Sequence, residues 1–99
     1  MDLNLLDEVV RPRSEGWTAQ GAVWRLVRDH PSPAPASWLV LEFGTAAGQL
    51  TVWEAGDAEV QWKDGTTFGT VHYSLQGPVD LTKALSDFEA ALGLDKFND

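Results

Sequence analysis

Residues 50–62 read LTVWEAGDAEVQW. Apolar and polar side chains alternate on both sides of a short glycine-bearing turn, which is the pattern of a β-hairpin. With AGD (55–57) as a three-residue turn, Glu54 faces Ala58, Trp53 faces Glu59, Val52 faces Val60 and Leu50 faces Trp62. Side chains alternate between the faces of a strand, so Leu50, Val52, Val60 and Trp62 share one side. Trp53 falls on the other side, where a soluble hairpin usually presents polar groups, beside Glu54, Asp57 and Glu59.

Outward from this hairpin the same signal repeats. AVWRLVRD (22–29), WLVLEF (38–43) and TFGTVHYSL (67–75) read as further strands, with QLTVWE (49–54) and AEVQW (58–62) between them. GTAAG (44–48) reads as a loop, and Asp64-Gly65 as a turn between Lys63 and Thr66 whose two central residues take positive φ. Closing that turn adds Val71, Tyr73 and Leu75 to the apolar face, and pairing Phe43 with Leu50 adds Leu39 and Leu41. A slip of one residue in any hairpin would scatter this face.

The ends of the chain are helical. LNLLDEVV (3–10) spaces Leu3, Leu6 and Val10 along one stripe, and Pro12 stops the pattern before a Ser-Glu-Gly turn. From Asp80, a favourable N-cap residue, Leu81, Leu85, Phe88 and Leu92 recur at helical spacing, Lys83 and Asp87 lie one turn apart on the solvent side, and Gly93 ends the helix. HPSPAPAS (30–37), too rich in proline for an inner strand, reads as an extended surface connection. The expectation is an α+β fold: an N-terminal helix, a five-stranded antiparallel meander, and a C-terminal helix packed on the sheet. The other sheet face holds Trp38, Val40, Glu42, Thr51, Trp53, Glu59, Gln61, Phe68, Thr70, His72 and Ser74. Two readings of it stay open: a second small core under the N-terminal helix, or an exposed patch of aromatics in a polar rim, as protein-binding surfaces have.

Ninety-nine residues, 43% hydrophobic and 22% charged, fit one globular domain spanning 1–99. There is no cysteine, which excludes a disulfide scaffold, thiol catalysis and cysteine-ligated zinc and suits a reducing compartment. The N-terminal segment lacks the basic start of a signal peptide, and no apolar run spans a bilayer, so a cytoplasmic location is expected. Fifteen acids stand against seven basic residues, a formal charge of −8, and residues 29–62 contain no Lys or Arg. Such a field repels nucleic acid and anionic membranes and attracts basic partners.

No catalytic constellation emerges. His30 and His72 have no partner at ligand spacing, so neither metal nor cofactor is expected. There is no GxSxG elbow, and GTAAG lacks the GK[ST] ending of a phosphate loop. Glu54, Asp57 and Glu59 gather around one hairpin, but a meander of this size offers a sheet face rather than the sugar cleft a glycosidase needs. Tryptophan faces suit stacking on a sugar as well as on a protein. The residues that read as a recognition surface are Trp38, Glu42, Trp53, Glu54, Asp57 and Glu59.

PSPAPASWLVLEF (31–43), then GQLTVWEAGDAEV (48–60) and a closing amphipathic helix, resemble the TriTu family of immunity proteins over roughly residues 30–92. Trp53, Glu54, Gly56 and Glu59 are the positions that match its most specific piece. The resemblance implies a non-enzymatic α+β protein that binds and blocks a cognate toxin, an ADP-ribosyltransferase directed at elongation factor Tu. Its free form is expected to be a monomer and its complex a one-to-one heterodimer. A second reading is an adaptor or chaperone-like domain that binds some other basic protein client.

Overall fold

The computed structural model describes residues 2–29 and 35–94. In chain order the elements are α1 (Asn4–Ala19), β1 (Val23–Asp29), β2 (Ala36–Phe43), β3 (Ala46–Trp53), β4 (Asp57–Asp64), β5 (Thr67–Ser74) and α2 (Pro78–Leu92). The strands form one antiparallel sheet in the order β1-β2-β3-β4-β5, so the expected α+β meander is present. His30 and most of the proline-rich connection lie outside the described residues.

α1 corrects the first expectation. It runs through Pro12 and through the Ser-Glu-Gly stretch read as a turn. A proline inside a helix removes one hydrogen bond and crowds the turn before it, at a cost of about 3 kcal/mol. Packing outweighs that cost. Leu6, Val10 and Trp17 lie on one stripe and are fully buried, and burying side chains of this kind stabilises by roughly 1.5–3 kcal/mol each. Pro12 itself faces solvent.

Every hairpin turn also sits differently from its sequence reading. The β2–β3 connection is a two-residue turn, Gly44-Thr45, closed by Phe43 opposite Ala46, and not a five-residue loop. The β3–β4 turn is Glu54-Ala55-Gly56, with Val52 opposite Ala58 and Leu50 opposite Val60. The β4–β5 turn is Gly65-Thr66, closed by Asp64 opposite Thr67. In each case glycine decides the position: Gly44, Gly56 and Gly65 have φ of 61°, 105° and 62°, and among the described residues no other residue type takes positive φ. A glycine-first two-residue turn needs that conformation at its first position, and a three-residue turn needs it at its last. Each shift in pairing is an even number of residues. Faces alternate with period two, so the side chains stay on the expected sides.

Leu39, Leu41, Leu50, Val52, Ala58 and Val60 accordingly form the floor of the core. α2 covers it with Leu81, Leu85, Phe88 and Leu92, all buried. It begins at Pro78, so Asp80 is a first-turn residue and not the N-cap; its Oδ2 accepts the Gln76 backbone N–H at 2.8 Å. Gly93 ends the helix at φ 80°, as expected. Lys83 and Asp87 are paired at 2.9 Å on the solvent side. α1 packs on this same face, against β1 and α2, and Trp17 meets Trp24 of β1 edge-on at 6.2 Å. Both helices therefore share one face, and the second core once open as a reading does not form.

Candidate functional site

With both helices on one side, the opposite face of the sheet carries neither α1 nor α2. Its central row crosses all five strands as Val27, Trp38, Thr51, Glu59 and His72. One row nearer the β3–β4 turn, Trp53 lies opposite Ala36, and Asp57 lies opposite Ser74. At the other end Val23, Glu42, Ala47, Lys63 and Phe68 form a mixed row. Of the five tryptophans, Trp17, Trp24 and Trp62 serve the helix face, while Trp38 and Trp53 are half-buried on the bare one.

The β3–β4 hairpin positions the polar groups. Gly56 allows the tight turn: its N–H donates to the Trp53 carbonyl at 2.9 Å, and its carbonyl accepts from Leu75 at 2.7 Å. The Glu54 N–H donates to the Pro35 carbonyl at 2.9 Å, so the turn is fixed to the start of β2. The result is a groove of about 630 Å³ whose wall includes Pro35, Trp53, Glu54, Asp57, Glu59 and His72. A second hollow of about 410 Å³ lies between Trp38, Trp53 and Glu59. Trp53 and Glu59 border both.

Four of the six sequence-predicted residues, Trp53, Glu54, Asp57 and Glu59, thus line one groove, and Trp38 adjoins it through the second hollow. Glu42 does not join them; it stands near the far end of β2, opposite Val23 and Ala47. Sequence reasoning placed His72 on this face but missed its pairing: Nδ1 lies 3.3 Å from Glu59 Oε2. The true β4–β5 turn residues bring His72 opposite Glu59, and a turn set one residue early hides that contact.

The Glu59 side chain is only 18% exposed, and its cross-strand row holds no Lys or Arg. An imidazole offsets a carboxylate only when protonated. The arrangement therefore offers flat aromatic surface beside anionic groups, a combination that recognises cations and apolar side chains. Among the described residues no His/Cys/Asp/Glu group is placed to hold a metal ion, and no helix is long and apolar enough to cross a membrane.

A family model described as Immunity protein TriTu matches residues 4–91. The match includes α1 and β1, which the motif-level resemblance left aside. No curated protein and no solved structure matches the chain.

Proposed function

Because the chain belongs to the TriTu family of immunity proteins, a toxin-neutralising family, we propose that it seats its bare sheet face, centred on Trp53, on a basic surface of its cognate toxin. The observation that carries this reading is the face itself: two half-buried tryptophans among carboxylates, with neither helix over them. An inhibitor needs a rigid scaffold, an aromatic anchor and complementary charge for fast capture, and no reacting group. The toxin is an ADP-ribosyltransferase directed at elongation factor Tu. A site that binds the pyrophosphate of NAD is electropositive, and a chain of formal charge −8 is drawn to it. Trp38, Trp53, Glu54, Asp57 and Glu59 make the contact, Glu42 lies at its margin, and one chain masks one toxin in the cytosol.

The test is co-expression with the product of the adjacent toxin gene. Survival of the cells and a one-to-one complex on purification are expected. A neighbour that neither binds nor kills removes the toxin reading and leaves the adaptor. A complex whose affinity is unchanged by Trp53→Ala moves the interface off this face.

A further inference from the structure

Glu59 and His72 are paired across β4 and β5, but they are not equally placed. Glu59 Oε2 lies 3.3 Å from His72 Nδ1; the Glu59 side chain is 18% exposed and that of His72 is 75% exposed. The carboxylate is the sheltered member. The imidazole, on the edge strand, has solvent to swing into.

Few other charges surround the pair. Glu54 and Asp57 line the same groove from the β3–β4 turn and the start of β4. Tyr73 lines it from β5; burial and its contact with Asp87 push its pKa up to about 12, so it stays neutral where imidazoles titrate. β1, β2 and β3 bring Val27, Trp38, Thr51 and Trp53 to this part of the face, none of them titratable. Among the described residues, the basic side chains on the face are Arg25, three strands from Glu59, and Lys63, four residues along β4. By strand spacing and rise, each is about 13 Å or more away at the backbone. The cation in contact with Glu59 is thus one that pH creates, since an imidazole changes charge between about pH 5 and 8.

We propose that a proton on His72 competes with a lysine or arginine side chain of the toxin for Glu59, so that binding weakens as pH falls. The inference deepens the toxin-face reading and rests on it. With His72 neutral, Glu59 is an anion with no cation at its side, and Trp53 borders the same groove. An incoming cation then meets a carboxylate and an aromatic face together. With His72 protonated, the carboxylate is already paired. A second cation would stand beside the imidazolium in a site that the toxin closes to water, where like charges repel more strongly than in solvent. Forming the complex therefore expels the proton. The sign follows by linkage: affinity is fully present above the imidazole range and is lost as pH falls through it.

Affinity for the product of the adjacent toxin gene, measured near pH 7.5 and near pH 5.5, tests this. An imidazole of ordinary pKa goes from about one-tenth to about nine-tenths protonated over that interval, so the native chain's Kd should rise roughly tenfold through this group. His72→Gln cannot take up the proton and should lose that tenfold from the ratio of the two constants, whatever groups on the toxin contribute. His72→Lys carries the charge at both pH values and should bind weakly at both. Calorimetry near pH 6.5, in buffers of different ionisation enthalpy, should show proton release on binding the native chain that is missing with His72→Gln. If Trp53→Ala binds as tightly as the native chain, the toxin-face reading fails and this inference with it. If Trp53→Ala weakens binding but the native chain and His72→Gln respond alike to pH, or release protons alike, the competition at Glu59 alone is overturned.

Discussion

The Trp17 indole donates a 2.7 Å hydrogen bond from Nε1 to Glu89 Oε2, across the contact between α1 and α2. The other carboxylate oxygen is bonded to Arg13, which also donates to Ser86 Oγ at 3.2 Å. Glu89 is 3% exposed at its side chain. A buried charge is tolerable only when paired and hydrogen-bonded, and Arg13 and Trp17 meet both conditions. They also explain why α1 continues past Pro12: the residues that join the two helices lie beyond the proline.

Arg13→Ala should therefore cost more than a surface substitution. It leaves a buried carboxylate with one donor, and breaking such a pair destabilises by about 3–5 kcal/mol. Trp17→Phe keeps an aromatic ring but removes the N–H and leaves part of the indole's buried volume empty, and should cost about 1–3 kcal/mol for the unsatisfied carboxylate oxygen with a cavity cost added to it. Arg13→Met combined with Glu89→Leu should be less harmful than Arg13→Ala, because no charge remains buried. Urea midpoints of the three variants check the order.

The α1 stripe shows why this network was not legible in the sequence. Leu6, Val10, position 13 and Trp17 follow one helical face, but position 13 is Arg and a proline precedes it. Periodicity of apolar residues breaks there, and only the partner, Glu89 on the last helix, restores it. The strands were legible for the opposite reason. Their faces depend on parity alone, so each turn could be misplaced and Leu39, Leu50 and Val60 still fall in the core. The groove was partly legible: Trp53, Glu54, Asp57 and Glu59 are close in sequence, whereas His72 enters through the β4–β5 register.

Gly48 should resist any side chain. A Cβ there would stand 2.6 Å from Phe88 Cε1 and 2.6 Å from the Gln61 carbonyl oxygen. Phe88 is fully buried and has no free direction in which to retreat. Gly48→Ala should cost about 1–3 kcal/mol, the range for overpacking a core. The penalty should shrink, without vanishing, in a Phe88→Leu background, since the carbonyl remains. Thermal denaturation of both pairs measures it.

Tyr73 gives the fold an alkaline limit. Burial, its hydrogen bond to Asp87 and the charge of Asp87 push its pKa up to about 12, against about 10 in an unfolded chain. The neutral phenol is thus favoured in the folded state. That stability is fully present below pH 10 and is lost as pH rises towards 12. The chain has one tyrosine, so phenolate absorbance reports this group alone and should titrate near the higher value. Asp87→Asn should lower the midpoint only part of the way, because burial is the larger cause. A titration midpoint near 10 in the folded protein would contradict the prediction.

Trp53 separates recognition from packing through the quantity that moves. A core tryptophan costs about 3–5 kcal/mol of stability when cut to alanine. Trp53 is half-buried on the face away from α1 and α2, so Trp53→Ala should cost well under that and leave the chain folded. Against the toxin the same variant should lose about 2 kcal/mol of binding, roughly 30-fold in Kd. The carboxylates should act on a different step. Glu54→Gln, Asp57→Asn and Glu59→Gln together should slow association, most at low salt, while dissociation changes less. Stopped-flow association and a urea titration decide between the roles. Lost stability with unchanged binding makes Trp53 a packing residue. Lost affinity in a folded chain makes it the anchor, with the acids around it setting the rate of encounter.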